Sequence, residues 1–273
     1  MSTIIKLEEV YKVFNKGKIN ECIALDQVSL RINKGDYITV WGGNGAGKTS
    51  LLDIIAKGQL SSGHIFLNGR DITHLPEHKR SYFLSRVTQN PFDMIAESLT
   101  LEEHFAVALC RKKRRSFRKG ISAKLKKFIK EQLAGIGLGL ESRLNENISN
   151  FSGGERQAVT LLMATIAKPE ILLLDEHTAA LDLEKTKLIE ALTDKLIRDN
   201  GITALWVTHK KEQAARFGNR ILFMQKGKIA RDLSYGERAA IPPEELIDIL
   251  EKFQMTTGAS RSGYLSKPGN QGA

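Results

Sequence analysis

The chain has 273 residues with 41 Lys and Arg against 31 Asp and Glu, a formal net charge of +10, and enough length for one large domain or two small ones. No apolar run follows Met1 and no stretch approaches the roughly 18 apolar residues of a membrane helix, so neither a leader nor a span of its own is expected. The positive charge is local: eleven basic residues stand between Arg111 and Lys130 with no acid among them, which leaves 30 basic against 31 acidic residues elsewhere, so the pI alone makes no case for nucleic-acid binding.

Residues 3–40 read as short β segments with turns at Asn15-Lys16-Gly17-Lys18 and Asn33-Lys34-Gly35-Asp36. The last segment, Tyr37-Ile38-Thr39-Val40-Trp41, is β-branched and aromatic, as a short buried strand should be. It runs into Gly42-Gly43-Asn44-Gly45-Ala46-Gly47-Lys48-Thr49-Ser50, after which Leu51, Leu52, Ile54, Ile55 and Ala56 recur at helical spacing. Residues 63–69 look like a strand ending in a turn, Pro76 opens a short helix, and Arg86-Val87-Thr88-Gln89 looks like another strand. From about Thr100 to Lys168 the pattern is mainly helical. Thr100 and Glu103 form a capping-box pattern with helix through Leu109, and Ile121, Leu125, Phe128, Ile129 and Leu133 make an amphipathic stretch closed by Gly135, Gly137 and Gly139. A long helix then runs from Ser152 to Lys168.

Residues 171–176 return to β as a continuous apolar run, which suits a strand covered on both faces. An amphipathic helix over 181–198, a strand over 203–208, a terminal hairpin (220–224 and 228–231) and a helix over 243–253 follow, and the small polar residues from Thr256 onward are expected to be a disordered tail. Strands alternating with crossover helices give a parallel sheet with ligands outside its carboxyl ends. Cys22 and Cys110 suit neither a disulfide framework nor a metal site and are expected to be buried, reduced thiols.

Strand, glycine-rich turn and helix make the context in which G-x-x-x-x-G-K-[ST] binds phosphate. Its glycines let backbone N–H groups converge on one anion, the helix start adds partial positive charge, Lys48 reaches the β- and γ-phosphates, and the Thr49 hydroxyl completes a Mg²⁺ shell. Asp175 and Glu176 end an apolar strand, where adjacent acids need a reason. Asp175 fits a Mg²⁺ ligand, direct or through water, and Glu176 a general base that polarises the attacking water. Phe151-Ser152-Gly153-Gly154-Glu155-Arg156-Gln157 reads equally as a capping box and as a helix start that approaches an anion, since two glycines in a first turn are costly.

Taken together these stretches resemble an ATP-binding cassette (ABC) nucleotide-binding domain over about residues 3–228. Residues 42–49 match the Walker A motif, 171–176 the Walker B motif, and 151–157 the signature L-S-G-G-Q with Phe151 for Leu and Glu155 for Gln. Asp182 matches the D-loop, His209 the switch histidine, Gln89 the Q-loop, and Phe14 the aromatic that stacks on adenine, with Tyr11 as the alternative. The resemblance implies an α/β fold: a P-loop NTPase parallel-sheet core with an N-terminal antiparallel β segment and an inserted helical subdomain. It implies an ABC ATPase domain over 1–255, the helical part at about 100–168, and the tail over 256–273. It implies that ATP is bound by Phe14, Gly42, Gly43, Asn44, Gly45, Ala46, Gly47, Lys48, Thr49 and Ser50, and hydrolysed with Glu176, His209 and Gln89 as catalytic groups. Mg²⁺ would be held by Thr49, Gln89 and Asp175, and a head-to-tail second copy would bring Ser152, Gly153, Gly154 and Asp182 to the same ATP. Two departures stand out. Glu155 places a carboxylate near a phosphate-facing helix start unless it turns back as the capping-box partner, and His177 stands where the family has proline.

The family context implies the ATPase subunit of an importer, served by a separate membrane permease and an extracytoplasmic solute-binding protein, and lying at the cytoplasmic face of the membrane through the permease. No nucleic acid is expected as a partner. Residues 162–165 and 175–182 are similar to an importer subfamily, some of whose systems are associated with aromatic amino acids. The competing readings are an exporter or lipoprotein-release ATPase, and a non-transport ABC ATPase acting on ribosomes or DNA. The basic segment 111–130 reads as a solvated surface or as one drawn to anionic headgroups and permease loops.

Overall fold

A computed structural model describes residues 2–111 and 121–258. Most of the basic run (Lys112, Lys113, Arg114, Arg115, Arg118 and Lys119) and the tail from 259 lie outside the described residues. The strands are β1 (Thr3–Phe14), β2 (Cys22–Asn33), β3 (Tyr37–Trp41), β4 (Ser62–Leu67), β5 (Arg70–Asp71), β6 (Leu84–Val87), β7 (Ile171–Asp175), β8 (Thr203–Val207), β9 (Arg220–Gln225) and β10 (Lys228–Leu233). The helices are α1 (Lys48–Lys57), α2 (Glu77–Arg80), α3 (Leu101–Leu109), α4 (Ala123–Ala134), α5 (Gly153–Ile166), α6 (Leu183–Asn200), α7 (Lys211–Arg216), α8 (Tyr235–Ala239) and α9 (Pro243–Gly258).

Two sheets form. One is antiparallel in the order β2-β1-β4-β5; the other runs β10-β9-β3-β8-β7-β6, parallel throughout except for the β10 hairpin. This is the mixed α/β architecture expected of a P-loop core with an antiparallel N-terminal segment. The short β segments expected before residue 40 are instead two 12-residue strands, joined with register shifts at Leu7/Val10 and Val10/Lys12. Such bulges bend a long pair without breaking it, so the turn signals alone undercount its length. The strands β3, β7 and β8 are buried at every residue, which is why they read as continuous apolar runs.

Ile38, Val40, Leu173, Leu205 and Val207 pack with α1 and the antiparallel sheet, whereas Leu172, Leu174, Ala204 and Trp206 pack with α5 and α6. Alternate strand residues therefore serve the two faces of the parallel sheet. α5 belongs to two cores at once: Ala158, Leu161 and Ala164 face the sheet, and Val159, Leu162 and Met163 face α3 and α4. It ends at Ile166, short of Lys168, and α9 continues to Gly258, past the point where the tail was expected to begin. Both cysteines are exposed, contrary to the burial expected of them, because Cys22 only opens β2 and Cys110 caps the end of α3.

A buried cation locks the far end of α1. Arg80 has no exposed surface, and its guanidinium donates to the carbonyls of Ile55 at 2.8 Å, Leu75 at 2.7 Å, Thr73 at 3.0 Å and Ile54 at 3.3 Å, and also to that of Ile72. Ile54 and Ile55 lie in the last turn of α1, whose orphan carbonyls and negative dipole end suit a cation. Burial pulls the Arg80 pKa down to about 10, so the group stays charged at neutral pH. Replacing it by Met would take the side-chain donor from the carbonyls of Ile55, Thr73 and Leu75, while those of Ile54 and Ile72 keep the Gly58 and Leu75 N–H groups. Arg80→Met should cost about 3 kcal/mol and lower the melting temperature by roughly 5 to 10 °C. An unchanged melting curve would contradict this account.

His177, the departure from proline, is also buried. Its ring lies 5.0 Å from that of Trp206, and its Nε2 is 2.9 Å from the Thr193 hydroxyl. That hydroxyl donates to the Ile189 carbonyl at 2.7 Å, so Nε2 carries the proton and Nδ1 is left without a partner among the described residues. Burial pulls the pKa down to about 3, below its ordinary value near 6.5. The folded state therefore binds fewer protons than the unfolded one between these values. This part of the stability is complete above pH 6.5 and is lost as pH falls toward 3. Between pH 7 and pH 5 the wild type should lose about 2 kcal/mol more than His177→Gln, as read by denaturant midpoints at each pH; parallel curves would refute it.

Candidate functional site

The parallel strands deliver their polar groups to one edge. β3 ends in the glycine-rich loop, and two of its glycines have no substitute: a Cβ on Gly42 would sit 2.3 Å from the Met224 carbonyl oxygen, and one on Gly47 (φ 100°) 2.5 Å from that of Ala24. Gly227 ties the loop down by donating to the Ala46 carbonyl at 3.0 Å. Lys48 opens α1 buried beneath the loop, and its ammonium donates to the Gly42 and Gly43 carbonyls at 2.8 and 3.1 Å. Burial lowers its pKa, opposed by the nearby Glu176 and Asp175 carboxylates. Asn44 and Gly45 are exposed at the tip, and Ser50 follows Thr49 in the first turn of α1.

β7 lies two strands away and ends at Asp175, whose Oδ1 accepts from the Thr49 hydroxyl at 3.2 Å. The next residue, Glu176, takes a left-handed backbone with φ 46°, an uncommon state for a residue with a side chain. That turn breaks strand alternation, and Glu176 Oε2 lies 3.1 Å from Nδ1 of His209, which stands two residues beyond the end of β8. Asp175 thus points to Thr49 and Glu176 to His209, and the two acids have different partners. Gln213 braces the two turns from beneath. Its amide donates to the Thr178 hydroxyl at 2.9 Å and to Glu190 at 2.6 Å, and accepts from the Thr208 hydroxyl.

Gln89 is exposed two residues past the end of β6, next to β7 in the sheet. Phe14 ends β1 with 44% of its surface exposed, paired with Cys22, two residues before the Ala24 carbonyl that abuts Gly47. Phe14 thereby lies near the loop through the Ala24–Gly47 approach, while Gln89 follows the edge strand of the parallel sheet. Ser152, Gly153 and Gly154 begin α5, and Gly154 packs on the Lys185 side chain of α6, whose N-cap is Asp182. Signature and D-loop residues are therefore neighbours, and among the described residues no hydrogen bond or ion pair joins them to residues 42–50.

Sequence reasoning missed two cations. Arg86, on β6, donates to Asp175 Oδ2 at 2.7 Å and to Asp53 Oδ1 at 2.6 Å. Burial opposes its charge, but the two carboxylates outweigh this and raise its pKa. The available signal was a cation in a short strand between Leu84 and Val87, three residues before Gln89. Arg143 is the second: its Nη1 lies 2.6 Å from Glu155 Oε1, and its guanidinium sits 4.1 Å from the centre of the Phe151 ring. Glu155 does turn back, since its Oε2 accepts from the Ser152 N–H at 2.6 Å to close the capping box. Burial pushes its carboxyl up, but the Ser152 and Arg143 hydrogen bonds outweigh that and hold it below the usual carboxylate value. Arg111 also departs from the solvated surface expected of the basic segment, because its guanidinium donates to the Ser85 hydroxyl at 2.5 Å and to the Leu84 carbonyl of β6.

Residues 25–179 match the family model described as ABC transporter. The "Tyrosine transport ATP-binding protein" of Clostridioides difficile (strain R20291) is 38% identical over 84% of this chain and 90% of its own length. The "Spermidine/putrescine import ATP-binding protein PotA" of Aggregatibacter actinomycetemcomitans is 33% identical over 93% of this chain and 65% of its own. The solved dimeric post-hydrolysis state of the ATP-binding cassette MJ0796, bound to ADP and Pi, superposes with a TM-score of 0.71 at 28% identity, over 85% of this chain and 99% of that one. The phosphate loop, the paired acids beyond it and these likenesses agree, and the chain belongs to the ABC transporter family as an ATP-binding subunit with ATPase activity.

Proposed function

We propose that the chain hydrolyses ATP to drive uptake of a small solute through a separate multi-span permease, working as two head-to-tail copies at the cytoplasmic face of the membrane. The observation that carries the chemistry is the Glu176–His209 pair at 3.1 Å, set beside the Thr49–Asp175 pair at 3.2 Å. The triphosphate lies along residues 42–50 and Phe14 stacks on the base. Lys48 exchanges its loop carbonyls for phosphate oxygens. Glu176 accepts the proton of the attacking water, and His209, anchored on Glu176, steadies that water and the γ-phosphate. The Thr49 hydroxyl, one oxygen of Asp175 and the Gln89 amide are hard oxygen donors that fit Mg²⁺ arriving with the nucleotide. Among the described residues no cluster of three or more His, Cys, Asp or Glu could hold a metal without it. Bound there, the ion neutralises charge on the phosphates. Arg86 keeps the other Asp175 oxygen occupied, so Asp175 faces the site with a fixed edge.

The second copy supplies Ser152, Gly153, Gly154 and Asp182. Support comes from the dimeric form of the cassette MJ0796, and among the described residues no hydrogen bond or ion pair joins these groups to residues 42–50 within one chain. Import rests on the relatives named for tyrosine transport and for spermidine and putrescine import, and a solute-binding protein would complete such a system. Among the described residues no helix is long and apolar enough to cross a membrane, which fits peripheral attachment to a permease. Co-purification with a multi-span permease tests the transport assignment; isolation with ribosomes or DNA instead would reject it.

Lys48→Ala should abolish productive ATP binding, because the charge that meets the phosphates is lost. Unchanged affinity by isothermal titration calorimetry would sink the assignment of this loop. Glu176→Gln should keep binding but slow hydrolysis about 10²- to 10⁴-fold, and should accumulate as an ATP-dependent dimer because the ligand is held and not consumed. The measurement is ATPase rate and association state with ATP, on the free subunit and on the assembled transporter. Near-normal turnover would remove Glu176 from the role of base.

A further inference from the structure

The signature segment carries a charge problem. α5 starts with Ser152 as N-cap, and its free N–H groups and dipole favour an anion. Glu155, in its first turn, contributes a negative charge at the same place. If an ATP held by one copy meets Ser152 to Gly154 of the other, the γ-phosphate approaches that carboxylate.

Arg143 answers it through three contacts. Nη1 meets Glu155 at 2.6 Å, Nη2 meets Glu146 at 2.9 Å, and the guanidinium plane covers Phe151. One side chain therefore links the two positions at which this signature departs from L-S-G-G-Q: the aromatic at its first and the acid at its fifth. The remaining charge nearby is balanced. Arg156 stacks on Phe92 at 4.6 Å, while Lys185, against Gly154, pairs with Asp182 at 2.6 Å. With Arg143 present the group Arg143, Arg156, Glu146 and Glu155 is neutral; without it the helix start bears an excess negative charge.

We propose that Arg143 is a positioning residue for ATP held between two copies: it turns the Glu155 carboxylate back onto the Ser152 N–H and cancels its charge, leaving Gly153, Gly154 and the Ser152 hydroxyl to the γ-phosphate. This rests on the two-copy reading above. Arg143 touches no nucleotide in this arrangement. Its effect passes through Glu155 and appears only when the copies close.

The test is a charge-compensation cycle in the full chain: wild type, Arg143→Met, Glu155→Gln and the double variant. Met keeps an apolar stem over Phe151 while removing the charge. The readouts are ATP binding to the dilute monomer, the ATP concentration for half-maximal hydrolysis, and ATP-dependent dimerisation in a Glu176→Gln background. Arg143→Met should leave monomer binding unchanged but raise the half-maximal ATP concentration and weaken dimerisation about 3- to 5-fold, the upper part of the range for a partly exposed charge contact. Glu155→Gln alone should stay within about 2-fold of wild type, and the double variant should return to it, because no uncompensated acid remains. A double variant as impaired as Arg143→Met would overturn the proposal, since loss of packing on Phe151 would then be the cause. A fully active Arg143→Met would overturn it as well. Should Arg143→Met fail to fold, the double variant decides: wild-type half-saturation supports the charge role and weak half-saturation refutes it. Failure of the two-copy reading looks different, for then the Glu176→Gln background itself shows no ATP-dependent association, and the proposal falls with it.

Discussion

The molecule depends on the parallel alignment of β9, β3, β8, β7 and β6. Val40 pairs with Val207, Asp175 with Val207, and Val87 with Leu174, so these strands finish together at one edge. Their interiors are sealed on both faces, and an unpaired polar group there would cost several kcal/mol. Chemistry is therefore confined to the first residues beyond the edge. Gln89, Asp175, Glu176 and His209 come from three different strands, yet each lies at or just past a strand end, and Thr49 joins them from the first turn of the helix that follows β3. A single slip in register would turn the apolar set of that strand to the wrong layer and move its terminal group by about 3.3 Å.

Around that edge the protein sets guanidinium groups against whatever is negative. Arg86 joins Asp53 on α1 to Asp175 on β7, and Arg143 joins Glu155 on α5 to Glu146. Arginine suits both sites because its planar fork serves two acceptors with one charge. A lysine at either place has no second arm with which to span both carboxylates. The two sites differ in exposure. The side chain of Arg86 is 17% exposed and that of Arg143 27%, so the link at β6 is the less screened by solvent.

The strands that are apolar throughout, the phosphate loop and the capping boxes at Thr100 and Ser152 were legible because each is a local pattern with a local cause. Residues 171–176 even showed where the chemistry starts, since two acids cannot continue a buried strand. What stayed hidden depended on distance along the chain. Arg86 meets Asp175 across 89 positions, and Arg80 meets Ile55 across 25. Neither pairing leaves a periodic trace. The same holds for His177: a histidine between Glu176 and Thr178 gives no sign that Trp206, brought in by a neighbouring strand, will cover it. The length of β1 and β2 was obscured by bulges, and the cysteines were misplaced because burial was argued from residue type and not from position at a strand or helix end.

Gly58 lies at the C-cap of α1 with φ 73°, and a Cβ there would fall 2.3 Å from Nη2 of Arg80. The two residues are 22 positions apart, but they fill one space. Any side chain at 58 would evict the guanidinium and expose the carbonyls it serves; a shorter residue at 80 would leave 58 facing a void. Either change alone therefore disturbs the other position. For anyone grafting this cassette or redesigning its antiparallel layer, 58 and 80 are a single unit, to be moved together or left untouched.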